Sequence, residues 1–362
     1  MIQKVAENYL FDEIDRRCQG RQNLLRLGVG DTTEPLPPVV AEAMAKAARD
    51  LATREHYTGY GPIAGHKALR EAIAERFDLL PDEVFISDGA KCDFARLLLL
   101  KRGGRALVQD PVYPINLDAA RIAGYTAHLL PCTPENGFFP SELPPADLLI
   151  LCNPVNPTGT SATREQLQQA VEWARQSGAL IIVDAVYNHF IQDPAIPRSI
   201  YEIPGADEVA IELNSFSKLA GFTGVRLGWT VVPKGLPLRR DWERLNATLY
   251  NGTCSIAQAG GLAALKEGWG EVQNLVAHYM ENAKILRRAL PKAYGGENAP
   301  YLWLPCHDSW GTFDRLLDQG VVVTPGVGFG PHGEHFIRVS AFGSRATIEA
   351  GAQRLSNYCV FI

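Results

Sequence analysis

Several things are missing from this 362-residue sequence, and each absence narrows what it can be. Its seven cysteines (Cys18, Cys92, Cys132, Cys152, Cys254, Cys306 and Cys359) are scattered and form no C-x-x-C pair. Neither a zinc site nor a dithiol redox centre is therefore expected, and the pattern suits reduced thiols of the cytoplasm. There is no excess of basic charge: 35 Lys and Arg stand against 40 Asp and Glu, for a net charge of −5. That balance speaks against nucleic acid or an anionic membrane surface as partner and leaves small molecules and protein. No apolar run is long enough to span a bilayer, and charges interrupt the stretch Met1 to Arg17, so neither a membrane segment nor a signal peptide is expected there. Internal repeats and flexible linkers are also lacking. The composition, 46% hydrophobic and 21% charged, is that of an ordinary globular chain with room for two domains.

From Val39 to Val232, helical patterns alternate with short, continuous apolar runs. Helices are predicted at Val39–Leu51, Lys67–Phe77, Lys91–Leu100 and Thr163–Gln176, the last opening on a Thr163…Gln166 capping pattern. Strands are predicted at Val84–Ser87, Ala106–Gln109, Leu148–Cys152, Leu180–Val183, Val209–Leu213 and Leu227–Val232. Such alternation is the mark of an α/β fold, a mainly parallel sheet covered by helices on both faces. Beyond Pro233 the pattern changes to long helices at Ile256–Lys266 and Glu271–Leu290. Short strands follow at Tyr301–Leu304, Val321–Val323 and Phe336–Ser340, with a closing helix near Thr347–Tyr358, as in a smaller α+β domain. The expected division is a large domain over 35–235 and a small one made of 1–34 with 236–362.

Chemistry concentrates at the ends of the predicted strands, where open α/β sheets bind ligands. Ser215-Phe216-Ser217-Lys218, followed by Gly224 and Arg226, puts a lysine, two hydroxyls and a guanidinium in one turn. A desolvated lysine can form a Schiff base with an aldehyde, and the hydroxyls and arginine suit a phosphate ester. Asp184 ends an apolar strand; buried there it needs a partner such as a protonated pyridine nitrogen, and Tyr187 could reach the same ring. Asn156, in Asn153-Pro154-Val155-Asn156-Pro157-Thr158-Gly159, offers an amide at the same sheet edge. Ser87-Asp88-Gly89-Ala90-Lys91 runs from a strand into a helix start, a natural phosphate cradle. Alone, each admits a plainer reading: a solvated lysine, a helix cap, a core aromatic, a rigid turn. Gly326-Val327-Gly328-Phe329-Gly330 precedes a strand instead of opening a helix, so it is read as a turn, and His332 and His335 as loop residues without a metal.

Together, in order and spacing, these elements resemble the fold type I pyridoxal-phosphate (PLP) aminotransferases, and within them the LL-diaminopimelate aminotransferases. Leu27-Gly28-Val29-Gly30-Asp31-Thr32-Thr33-Glu34-Pro35, Gly221-Phe222-Thr223-Gly224-Val225-Arg226 and Phe336-Ile337-Arg338-Val339-Ser340-Ala341-Phe342-Gly343 carry the same likeness across the chain. The resemblance implies that Lys218 holds PLP covalently and moves the substrate's proton. Asp184 would then keep the pyridine nitrogen protonated, Asn156 and Tyr187 would bond the phenolic oxygen, and Tyr113 would stack on the ring. Ala90, Lys91, Ser215, Ser217 and Arg226 would hold the phosphate, with Tyr60 reaching the phosphate of the neighbouring subunit. Arg338 would clamp the substrate α-carboxylate and Gly30 would supply a backbone donor. Tyr9 and Asn251 would line the substrate pocket, Asn251 from the partner chain.

The implied enzyme is a cytoplasmic homodimer that acts on amino acids and 2-oxo acids, exchanging an amino group between glutamate and tetrahydrodipicolinate on the route to lysine. Two departures stand out. Ile63 occupies the place where the family usually carries a glutamate toward the distal end of the substrate, and the stretch from Tyr125 to Pro134 lacks a hairpin-like insertion. Ile63 leaves open the alternative of a related PLP enzyme with another amino acid substrate or reaction, as in a secondary-metabolite pathway. A pure binding protein on the same scaffold would have no need of Lys218.

Overall fold

A computed structural model describes residues 10–101 and 103–359 of the chain. The strands in chain order are β1 (Leu25–Arg26), β2 (Val84–Ser87), β3 (Arg105–Asp110), β4 (Thr126–Pro131), β5 (Leu148–Cys152), β6 (Leu180–Asp184) and β7 (Ala210–Ser215). They continue as β8 (Gly228–Val231), β9 (Tyr294–Gly295), β10 (Tyr301–Pro305), β11 (Val321–Val322), β12 (Thr324–Pro325) and β13 (Phe336–Ser340). A seven-stranded sheet runs β2-β8-β7-β6-β5-β3-β4. Only β8 runs antiparallel to its neighbours; every other pair in this sheet that is not with β8 is parallel.

The apolar runs explain the central strands. Leu148–Cys152 is buried along its whole length, and alternate residues serve opposite faces. Ile150, Ile182 and Ile211 pack on one side with Phe94 and Trp242, while Leu149, Leu151, Ile181 and Val183 pack on the other with Leu167 and Val171. Helices therefore cover both faces, as the alternating pattern requires. The helix Arg164–Ser177 opens on the expected capping box: the Thr163 hydroxyl accepts from the Gln166 N–H at 3.2 Å, and the Gln166 side chain accepts from the Thr163 N–H at 2.9 Å.

A second, antiparallel sheet is ordered β12-β13-β10-β9, and the pair β1 with β11 is parallel. That pair fastens residues 25–26 to 321–322. The helices Ser255–Leu265 and Trp269–Ala289 are not confined to the second sheet; the first packs on the helices Pro38–Asp50 and Lys67–Phe77 of the 35–235 segment. One hydrophobic cluster accordingly runs from Phe216, Leu227 and Trp229 through Tyr279 to Trp303 and Phe313.

Several elements differ from the sequence-based expectation, among them the helix Leu10–Cys18 and the short strands β1, β9 and β12, which also form. β4 forms at the sheet edge, half exposed, where Thr126 and His128 break the apolar signal. The helices Pro114–Ile122, Arg239–Leu249 and Ser309–Asp318 also form. The first starts on a proline at its N1 or N2 position and the last on Asp308, whose carboxylate caps the Gly311 N–H, so each carried a start signal. The Gly326 to Gly330 run is a 3-10 turn ahead of β13, as expected from its position. Among the described residues no helix is long and apolar enough to cross a membrane, and Cys18, Cys92, Cys132, Cys152, Cys254 and Cys306 are free thiols.

Candidate active site

The parallel register brings the C-terminal ends of β5, β6 and β7 side by side, with Cys152 opposite Asp184 and Asp184 opposite Leu213. Just beyond this edge lies a cavity of about 670 Å³, lined by Gly30, Ala90, Lys91, Tyr113, Asn156, Asp184, Tyr187, Ser215, Ser217, Lys218, Arg226 and Arg338. Twelve residues predicted from separate motifs thus share one space. Tyr60, Ile63 and Asn251 do not: Tyr60 is 88% exposed, Ile63 38% exposed, and Asn251 stands on the surface. Tyr9 lies outside the described residues.

Asp184 forms the acidic pole. Its Oδ1 is buried and has no hydrogen-bond partner among the described residues. Burial raises its pKa to about 6, with only a backbone hydrogen bond from Val186 opposing. A carboxylate that lines a cavity with one buried oxygen unclaimed fits a protonated ring nitrogen.

The anionic pole's counterpart is built at the helix Ala90–Leu97. Its first turn has no side-chain cap, so the N–H groups of Ala90 and Lys91 face the cavity end unclaimed by a capping side chain. Gly89 has φ +109°, and a Cβ there would collide with the Arg226 guanidinium, so the loop and the arginine pack directly. Arg226 donates to the Ser217 hydroxyl at 3.1 Å and to the Thr223 carbonyl at 3.2 Å. Two hydroxyls, a guanidinium and a helix N-terminus make a phosphate-sized cradle.

Lys218 lies between these poles and donates its amine to the Gly30 carbonyl. Burial lowers its pKa to about 8; Asp31 pulls it up, while Arg338 and Arg226 push it down. A share of the amine is therefore neutral and nucleophilic near neutral pH. Lys91 is lowered as well, by burial and then by Arg226.

Arg338, 1% exposed, donates to Asn156 Oδ1 at 2.6 Å and to the Gly28 carbonyl at 2.5 Å, and its Nε has no partner among the described residues. Tyr301 and Phe329 flank its guanidinium, at 4.6 and 4.7 Å from the ring centroids. A buried guanidinium with an open edge suits a carboxylate. Because Asn156 Oδ1 is taken, its Nδ2 is the side left to donate, as expected for a contact to an oxygen at the sheet edge.

Sequence reasoning missed several cavity residues, among them Tyr301, Asp31, Cys92, Asn116 and Phe11. Asp31 sits inside a quoted motif, beside Gly30. Tyr301 opens a strand that was read only as packing, and nothing local marks its hydroxyl. His332 holds the buried Asp110 carboxylate at 2.7 Å and His335 the His307 carbonyl at 2.7 Å; among the described residues no group of three His, Cys, Asp or Glu could hold a metal ion.

A sequence profile of the family described as aminotransferase class I and II matches residues 22–355. The chain belongs to the class I and II aminotransferases. It is accordingly a PLP-dependent enzyme of fold type I, and the acidic pole, lysine and anion cradle fit that cofactor. The LL-diaminopimelate aminotransferase of Protochlamydia amoebophila is 45% identical over 394 aligned positions, covering 98% of this chain and 96% of the relative. The chloroplastic LL-diaminopimelate aminotransferase of Arabidopsis thaliana is 45% identical, covering 98% and 85%. Since 394 positions exceed the 362 residues of this chain, the relatives carry segments that it lacks. Among solved structures, the LL-diaminopimelate aminotransferase of Chlamydomonas reinhardtii superposes with a TM-score of 0.92 at 46% identity, covering 98% of this chain and 96% of the other. Substrate-bound BacF of Bacillus subtilis gives 0.87 at 26% identity, covering 98% and 96%.

Proposed function

We propose that this aminotransferase exchanges an amino group between glutamate and tetrahydrodipicolinate, giving LL-diaminopimelate and 2-oxoglutarate in lysine biosynthesis. The observation that carries the reading is the 45% identity over 98% of the chain to LL-diaminopimelate aminotransferase of Protochlamydia amoebophila. The cavity supports it, because a single space supplies an amine, an acid for a ring nitrogen and a guanidinium for an α-carboxylate.

When bound, PLP supplies an electron sink for the bond that breaks at the substrate α-carbon. The protein's part is to hold and to move protons. Asp184 would keep a proton on the pyridine nitrogen, and the backbone of Ala90 and Lys91 with Ser215, Ser217 and Arg226 would fix the phosphate. Asn156 and Tyr187 would bond the phenolic oxygen, with Tyr113 against the ring face. Arg338 would orient the α-carboxylate so that the α-hydrogen points to Lys218, whose amine then takes it as a base.

The enzyme would act as a homodimer in the cytoplasm. Support for the dimer comes from the surface that holds Tyr60, Ile63 and Asn251. The Gly252 turn lies against the Gly61-Pro62 loop, so close that a Cβ on Gly252 would stand 3.0 Å from the Pro62 carbonyl oxygen. Tyr57, Tyr60 and Leu249 lie exposed on the same segments, an apolar patch that a second copy would cover. In that arrangement Tyr60 and Asn251 complete the partner's cavity, and Ile63 faces the distal end of the substrate there.

The test is the half-reaction. The PLP-loaded enzyme is mixed with LL-diaminopimelate, glutamate, aspartate, lysine, ornithine or an aromatic amino acid, and loss of the visible cofactor absorbance is followed. LL-diaminopimelate and glutamate should convert the enzyme to its amine form fastest. Silence with LL-diaminopimelate, alongside conversion by another amino acid, contradicts the assignment.

A further inference from the structure

Tyr301 is a cavity residue without a role in the proposed function. It is fully buried at the start of β10, paired in the ladder with Ser340 of β13. Its carbonyl lies where a Cβ on Gly159 would collide, and its hydroxyl lies where a Cβ on Gly30 would collide. Both ends of the residue are thus held by backbone. Its ring stands edge-on to that of Tyr187, with centroids 5.2 Å apart, and the two hydroxyls are 2.9 Å from each other. The Arg338 guanidinium sits 4.6 Å from the centroid of the same ring. Tyr301 therefore touches a cofactor-side group through its hydroxyl and a substrate-side group through its ring.

The direction of the hydroxyl contact decides what it does. A phenol has one hydrogen to give. If Tyr187 gives its hydrogen to the phenolic oxygen of PLP, the 2.9 Å contact is left with one donor, Tyr301. We propose that Tyr301 is a positioning residue of this transaminase: its hydroxyl donates to Tyr187 and so turns the Tyr187 proton toward the cofactor, while its ring carries the Arg338 guanidinium. The inference rests on the reading that PLP occupies this cavity. A hydrogen bond received by Tyr187 polarises its own O–H and strengthens the bond that it gives. That bond stabilises negative charge on the phenolic oxygen, which lowers the pH at which the bound chromophore loses its proton.

The test is a pH titration of the visible absorbance of the substrate-free holoenzyme, with far-UV circular dichroism as a check of folding. In Tyr301→Phe, which removes the hydroxyl and keeps the ring, the midpoint should rise by about half a pH unit or more. The KM for the amino acid should stay within about twofold. Tyr301→Leu should show the same shift and a KM about three- to tenfold higher, because the guanidinium loses its ring. In a Tyr187→Phe background, Tyr301→Phe should move the midpoint no further. An unshifted midpoint in Tyr301→Phe, or an equal shift with Tyr187 already removed, overturns the proposal. A wild-type protein with no visible band after PLP loading would overturn the cofactor reading itself, so the two failures are distinguishable.

Discussion

The floor of the cavity and the surface patch around Tyr60 are built in opposite ways. On the floor, Asp184, Lys218 and Arg338 are enclosed by their own chain, and each side chain is adjusted by its neighbours. Burial raises Asp184, burial lowers Lys218, and Arg338 is fixed by Asn156 and Gly28. On the patch, Tyr60, Ile63 and Asn251 stand exposed and outside the cavity. The two regions are joined: the Tyr250 hydroxyl donates to Asp88 at 3.0 Å, tying the turn that carries Asn251 to the loop that precedes the anion cradle, and the Ile86 N–H donates to the Ala64 carbonyl at 2.9 Å. On the proposed function, the contrast means that the bond-breaking chemistry is set inside one chain, whereas the fit to the far end of a substrate is left to a surface.

The contrast can be broken most forcefully at Lys218. Lys218→Ala should lower kcat by a factor of at least about 10³ while PLP still binds without a covalent link; normal turnover would remove the central amine from the mechanism. Tyr60→Phe should leave kcat within about tenfold and act instead on cofactor affinity, read by equilibrium dialysis. Next in size is Arg338→Leu. The amino acid KM should rise about 10- to 100-fold, since a charge-assisted pair is lost and Asn156 and Gly28 lose their donor.

Asp184 offers a pH test in the cofactor-free protein. Its folded-state pKa, about 6, lies above the ordinary carboxylate value, so its protonated form is favoured on folding. The stability that this provides is complete at low pH and is lost as the pH rises through about 6. Asp184→Asn should therefore raise the melting temperature of the cofactor-free protein at pH 7 relative to wild type, and the difference should shrink at pH 4. An equal effect at both pH values would contradict the buried, unpaired carboxylate. The smallest effect is expected at the patch. Ile63→Glu should raise kcat/KM for LL-diaminopimelate by about two- to tenfold and leave glutamate unchanged, because a carboxylate there can pair with the distal ammonium.

Much of the floor was legible in the sequence because most of its residues sit at or just beyond the end of a strand, whereas Arg338 lies inside β13 and was visible only through its motif. Asp184 follows four apolar residues, Asn156 lies between two prolines just after a buried strand, and Lys218 sits three residues beyond the Ser215 strand end. Register then fixes their proximity. Tyr301 was not legible, since its partner Tyr187 is 114 residues away and nothing in a Tyr-Leu-Trp-Leu run distinguishes a functional hydroxyl from packing. The edge strand β4 was missed for a related reason: half its residues face solvent, so its apolar signal is diluted. Ile63 was visible only as a departure from a family pattern, and its place on the surface explains why packing imposes no signature on it.

The most direct test of this division is a subunit-mixing experiment. Lys218→Ala has a dead floor and an intact patch; a Tyr60→Ala, Asn251→Ala double variant has an intact floor and a damaged patch. Unfolded together and refolded as an equal mixture, two such weakly active proteins should form mixed dimers with one sound site each, recovering about a quarter of wild-type activity. No recovery, with mixed dimers verified by mass, would mean that each chain completes its own site.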